Sequence, residues 1–198
     1  MSAYLSIDLD YWGDYNYTKN CTRFFDKVFA LNVPITFVIE HEELVPDMNR
    51  TKGLTTMYNV DYHSDIIAQP DIDKKPNDFD WANFVNRRTK ADYFWFMPDA
   101  CCYRENSGTC HGGGDNPFLK NIKSGWKSCK KYVGLKRIDW YKIQRVGVCL
   151  SPCFVTMDPV VPVIERLGGD SKKLEKLIAK QPFNAKKRVR GIIKRIEA

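Results

Sequence analysis

Short apolar runs that each close on acidic residues or a histidine constrain this chain more than any other feature. Residues 4–9 (YLSIDL) close on Asp8 and Asp10, residues 34–39 (PITFVI) lead into Glu40 and His41, and residues 55–60 (TTMYNV) lead into Asp61, His63 and Asp65. Runs of this length read as buried strands, and the stretches between them carry apolar residues at helical spacing, most clearly 22–30 (TRFFDKVFA). The alternation continues with a short helix expected over 42–48, a helix over 81–88, a strand over 93–97 stopped by Pro98, and a strand over 145–150. Strands alternating with helices predict an α/β fold, with three α-β-α layers around a mainly parallel sheet. Between Asp99 and Ile143 the pattern weakens, and residues 104–116, with three consecutive glycines, read as a loop. No repeat or linker interrupts the chain. Residues 1–198 are therefore expected to form a single domain with a basic helical C-terminal tail over about 171–198.

A chain of 198 residues with 43% hydrophobic content can bury one sizeable core, and it has no apolar run of the roughly 18 residues that would cross a bilayer. The start lacks a basic-then-apolar leader, and seven irregularly spaced cysteines leave one over, which points to free thiols in a reducing cytoplasm. The net charge of +7 lies largely in the last third. It admits nucleic acid or another anionic partner without favouring one, since basic faces are often simply solvated.

In an extended strand alternate side chains share a face, so Asp8 and Asp10 are expected to point one way, as are Asp61, His63 and Asp65. Carboxylates gathered at the end of a buried strand repel one another and resist desolvation, and a divalent cation removes that cost. Strand carboxyl ends are also where open parallel sheets take their ligands. Taken singly, Asp8 and Asp10 would serve to cap a turn, and His41 would serve as a structural histidine. The triplet Asp61, His63 and Asp65 has less to offer folding. Moreover, the chain has only three histidines, 41, 63 and 111, each at a strand end or in the glycine-rich loop. Carboxylate mixed with imidazole suits manganese, iron, nickel or zinc rather than magnesium or calcium. Four carboxylates and two imidazoles are more easily satisfied by two ions than by one.

These residues resemble the metal motifs of the arginases and other ureohydrolases. Residues 34–41 (PITFVIEH) look like the arginase strand ending in Gly-Gly-Asp-His, residues 61–65 (DYHSD) like Asp-Ala-His-x-Asp, and residues 6–10 (SIDLD) like Ser-Phe-Asp-x-Asp. The last motif lies late in arginases and comes first here. This permuted order is similar to that of a small arginase-related family whose characterised members are peptide arginases, which convert arginine side chains within a peptide to ornithine and urea. Asn83-Phe84, the run from Tyr93 to Pro98 and residues 148–152 (VCLSP) are similar to that family too, so the likeness spans roughly residues 4 to 160.

The resemblance implies an arginase/deacetylase-like fold and two divalent ions, Mn2+ first, with Fe2+, Ni2+ or Zn2+ as alternatives. It implies one ion held by His41, Asp61, Asp65 and Asp8 and the other by His63, Asp61, Asp8 and Asp10, with Asp8 and Asp61 shared. The expected substrate is a peptide or a small guanidino compound. Residues 107–112 (SGTCHG) resemble the arginase segment Ser-Gly-Asn-Leu-His-Gly, which implies that His111 is a catalytic proton shuttle. Asn83 and Asp158 are the substrate-binding candidates, and Asp99 and Asp115 are further candidates for the carboxylate that holds the guanidinium.

Two other readings use the same residues: an amidohydrolase or deacetylase on the related scaffold, and a non-catalytic metal-containing protein whose basic tail engages a partner. Cys101, Cys102, Cys110, His111 and Cys129 lack the Cys-x-x-Cys spacing of a structural zinc site. Cys149 and Cys153 read as small apolar packing before nucleophiles. Residues 186–195 (KKRVRGIIKR) read as a surface helix docked by its apolar stripe, with an anionic surface as the alternative partner.

Overall fold

The strand β1 (Ser2–Asp8) is buried at every one of its positions, as a strand must be when both faces of a parallel sheet are covered. The computed structural model describes residues 2–12, 18–66, 76, 81–98 and 129–151. Around β1 stand β2 (Ile35–Val38), β3 (Leu54–Val60), β4 (Asp92–Met97), β5 (Cys129–Val133) and β6 (Ile143–Cys149), in the order β2-β6-β1-β3-β4-β5. Every neighbouring pair is parallel. The helices among the described residues are α1 (Thr18–Ala30), α2 (Val45–Arg50) and α3 (Trp81–Thr89).

Side-chain alternation along the strands divides the core into two layers of packing. Ala3, Leu5 and Ile7 of β1 pack with Val146 and Val148 of β6 and with Phe24, Phe25 and Val28 of α1. The opposite face joins Tyr4, Met57 and Trp95 to Met48 of α2 and to Trp81 and Val85 of α3. With α1 on one face and α2 and α3 on the other, the described residues form the three-layer α/β arrangement that the alternating pattern predicts. One buried polar group ties three strands to α2. Asp47 accepts hydrogen bonds from the Tyr4 hydroxyl at 2.9 Å and from Thr36 at 3.1 Å, and it pairs with Arg145 at 3.1 Å.

Register decides what meets at the carboxyl edge. Ile7 of β1 lies opposite Val60 of β3, which puts Asp8 alongside Asp61 one rung further on. Asp8 and Val38 both lie opposite Cys149 of β6, so the end of β2 reaches the same edge. Because β2 and β6 lie to one side of β1 and β3, β4 and β5 to the other, the winding reverses at β1, and the crevice of an open α/β sheet forms at such a reversal.

The sequence expectations differ from the structure in two places. The helix expected over 42–48 is a 3-10 turn, His41–Leu44, followed by α2 with Pro46 in its first turn. β5 had no counterpart in the expected pattern. Its sequence, CKKYV, sets two lysines in a five-residue strand at the sheet edge, where charge guards against pairing with another chain and no long apolar run is needed. The glycine-rich loop 104–116 and the basic tail 171–198 lie outside the described residues.

Candidate metal centre

Three turns at the carboxyl edge carry the candidate ligands. β1 ends at Asp8 and passes into a 3-10 turn, Leu9–Trp12, that carries Asp10. The turn is held by the Asp10 amide, which donates to Asp8 Oδ1 at 3.0 Å. β3 ends at Val60, and the His63 amide donates to Asp61 Oδ1 at 2.7 Å to close the bend that follows. The Tyr62 amide donates to Asp10 Oδ1 at 3.1 Å and locks the two bends together. His41 opens the turn after β2, where the Glu43 carboxylate accepts from the amides of Ile39 at 3.0 Å and Glu40 at 3.2 Å.

These bends correct one step of the sequence argument. Strand alternation does not bring the ligands together, because Asp10, Asp61, His63 and Asp65 all lie beyond their strands. Hydrogen bonds from backbone amides to aspartates turn the chain instead, as in Asx turns. Asp65 also has a left-handed backbone, φ 49°, a conformation that Asp adopts more readily than most residues.

The result is two histidine-centred clusters that share Asp61, whereas Asp8, expected to be shared as well, stands in the His41 cluster. His41 Nδ1 stands 3.3 Å from Asp8 Oδ2, 3.2 Å from Asp61 Oδ2 and 3.0 Å from Asp65 Oδ2. His63 Nδ1 stands 2.9 Å from Asp10 Oδ2 and 3.9 Å from Asp61 Oδ1. Potential ligand atoms of Asp8, His41 and Asp61 lie within 4.8 Å of one another, and so do those of Asp10, Asp61 and His63. Asp61 thus turns one oxygen to each histidine. All four aspartates and His41 are buried, while the His63 side chain keeps 26% of its surface exposed and marks the open side.

Electrostatics exposes the cost of this arrangement. Burial, followed by the charges of Asp65 and Asp8, pushes Asp61 up to about 7. Burial and the Asp61 charge raise Asp10 to about 6, and burial with the Asp10 charge raises Asp8 as well. Burial opposes charge on the histidines, but the carboxylates outweigh it: His63 rises to about 9 through Asp10 first, and His41 well above its usual value through Asp61, Asp65 and Asp8. Protons thus substitute for missing positive charge.

The residues fit a divalent cation. His41 Nδ1 is buried and makes no well-aligned hydrogen bond, although three carboxylate oxygens crowd within 3.3 Å of it. A ring nitrogen and three oxygens aimed at one small space suit an ion better than a proton, which satisfies a single acceptor.

A surrounding layer fixes the ligands. Ser6 Oγ lies 2.6 Å from His41 Nε2, and Trp81 of α3 packs against the His41 ring at a tilt, with centroids 4.4 Å apart, while its indole N–H donates to Asp65 Oδ2. Asn59 donates to Asp61 Oδ2 at 3.1 Å and to the Tyr93 hydroxyl at 2.9 Å; that hydroxyl donates to the Ser64 carbonyl. Trp95 Nε1 donates to the Asp61 carbonyl at 2.9 Å. Such outer partners orient ligands and set their tautomers. The sequence reading assigned no role to Asn59, Trp81, Tyr93 or Trp95; the signal was a lone amide, Asn59, inside a run otherwise read as a buried strand.

The other candidates fare differently. Asn83 is buried on α3, two residues beyond Trp81. His111, Asp158, Asp99, Asp115 and Cys153 lie outside the described residues. Cys149 is buried, its thiol donates to the Ile39 carbonyl at 3.2 Å, and burial pushes its pKa well up, as expected of a packing residue rather than a nucleophile. Among the described residues no helix is long and apolar enough to cross a membrane.

Comparison with protein-family models, with curated proteins and with solved structures found no match to this chain.

Proposed function

We propose that this chain is a binuclear metal-dependent hydrolase of the arginase type, which cleaves a guanidinium carbon–nitrogen bond, with a peptidyl arginine converted to ornithine and urea as the favoured reaction. The observation that carries this reading is Asp61, whose two oxygens face two separate histidines, each with further carboxylates beside it. A buried aspartate split in this way would be available to two cations at once. When bound, the ions supply Lewis acidity and an activated water at neutral pH.

The chain's own residues do the rest. Asp8, Asp61 and Asp65 with His41 would hold one ion, and Asp10, Asp61 and His63 would hold the other; Mn2+ is the favoured metal, with Fe2+, Ni2+ or Zn2+ as alternatives. The guanidinium would enter beside His63, the most exposed of the six candidate ligands. Water adds to the guanidinium carbon, the bond to the side-chain nitrogen of the arginine breaks, and that nitrogen leaves with a proton, for which His111 is the proposed donor. Asn83 and Asp158 remain the proposed substrate contacts.

Metal analysis of the purified protein is expected to find close to two manganese-class ions per chain. Colorimetric urea release is then expected from an arginine-containing peptide and not from free arginine. Metal-free native protein that takes up no Mn2+ would sink the reading. Two bound ions with no urea from either substrate, but with deacetylation of an acetyl-lysine peptide, would transfer it to the amidohydrolase class.

A further inference from the structure

On the α1 face, beside the turn that carries Asp10, lies a cavity of about 580 Å³ lined by Trp12, Phe24, Trp140, Arg23, Lys27 and Lys136 among others. Its aromatic wall is continuous. Trp12 and Phe24 have ring centroids 5.3 Å apart, and Phe24 meets Trp140 edge-on at 5.4 Å. The three cations stand at its rim: Arg23, Lys27 and Lys136 are exposed, and Lys27 Nζ lies 5.9 Å from the Trp140 ring centroid, a cation–π position. None of the described residues lining the cavity is acidic. The nearby Asp139 is already paired with Lys142 at 2.7 Å.

The cavity and the metal centre share one structural element. The turn Leu9–Trp12 sends Asp10 to the acidic cluster and supplies Tyr11 and Trp12 to the cavity. The three cations at the cavity end of that turn attract an anionic group, whereas the four carboxylates at its other end would be neutralised by the two ions of the loaded centre. An anionic group of a bound substrate is therefore drawn to the cavity end of the turn.

We propose that this cavity binds an acidic peptide segment, with a carboxylate at the Arg23, Lys27 and Lys136 rim and an apolar or aromatic side chain against Trp12, Phe24 and Trp140. The proposal deepens the hydrolase reading and rests on it for the arginine: the peptide substrate carries a glutamate or aspartate close to the residue that is cleaved. A cavity of this volume suits two or three side chains, whereas a nucleic-acid strand requires a longer cationic track.

The test uses the full chain loaded with Mn2+ and two peptides, each with one arginine followed by a phenylalanine and either two glutamates or two glutamines. Binding is followed by fluorescence anisotropy of the labelled peptides, and urea release is measured in parallel. The acidic peptide is expected to bind about tenfold more tightly at low salt. The triple substitution R23Q/K27Q/K136Q, confined to exposed side chains, is expected to erase the difference without changing the melting temperature or the metal content. Equal binding of the two peptides overturns the proposal, and so does a single-stranded oligonucleotide that binds more tightly and depends on the same three residues. Urea released equally from both peptides leaves the hydrolase reading standing while the cavity proposal falls. Selective binding with no urea from either peptide does the reverse.

Discussion

Ser6 and His41 sit 2.6 Å apart, hydroxyl oxygen to Nε2, with both residues buried and the opposite ring nitrogen of His41 turned to three carboxylates. The contact orients the ring. A neutral imidazole that donates its Nε2–H to Ser6 leaves a lone pair on Nδ1, which is the form a metal requires. Ser6 lies two residues before Asp8 on β1 and points to the same face, so one strand supplies both a candidate ligand and the group that orients another.

Ser6→Ala is therefore expected to weaken the ion on the His41 side by about 10- to 100-fold, the usual effect of losing an outer partner, while leaving the His63 side unchanged. Isothermal titration with Mn2+ should resolve one weakened and one unaltered site. Equal weakening of both sites, or of neither, would show that the hydroxyl has no part in orienting the ring.

Asp61→Asn separates metal binding from folding. Burial and the neighbouring Asp65 and Asp8 charges already penalise its ionised form, so removing the charge should leave the metal-free melting temperature at about pH 8 unchanged or higher. The stabilisation by Mn2+, roughly 4 kcal/mol at a thousandfold excess over the dissociation constant, should vanish. A retained Mn2+-induced shift would exclude Asp61 as the shared ligand.

Gly147 tests the packing beneath the site. A Cβ there would stand 2.5 Å from the Tyr4 hydroxyl and 2.7 Å from Leu44, the last residue of the turn that begins with His41. Gly147→Ala is expected to cost about 1–3 kcal/mol through overpacking and to lower Mn2+ affinity on the His41 side as that turn shifts. Chemical denaturation with and without Mn2+ measures both effects, and a variant as stable as the parent would show that the turn yields without cost.

The layers of the fold were legible in the sequence because apolar runs and helical spacing are local signals. β1, β3, β4 and α3 fall where periodicity places them. The edge strand β5 escaped because Lys130 and Lys131 remove that signal. The six candidate ligands were visible as residue types near strand ends, but the way they meet was not. Backbone turns at Asp8–Asp10 and Asp61–His63, rather than side-chain alternation, set their directions. The outer layer was hidden for a further reason: Trp81 reaches Asp65 and His41 only through the packing of α3 on the sheet, a long-range relation without a local pattern.

The proton load of the site predicts an inverted pH response. Asp10 and Asp61 titrate in the folded protein at about 6 and about 7, above the roughly 4 of an unfolded aspartate. Each therefore favours the fold fully only below about pH 4 and loses that contribution as pH rises through its folded value. His63, raised to about 9 from roughly 6.5, contributes in the same sense below about pH 6.5 and loses its contribution as pH approaches 9. Metal binding requires the deprotonated ligands and runs the other way. The metal-free protein should thus melt at progressively lower temperature from about pH 5 to about pH 9, while the gap between Mn2+-loaded and metal-free melting temperatures widens over the same range. Differential scanning calorimetry across that window, with and without Mn2+, gives both curves. A gap that stays constant with pH would mean that the ion and the protons do not compete for the same carboxylates and imidazoles.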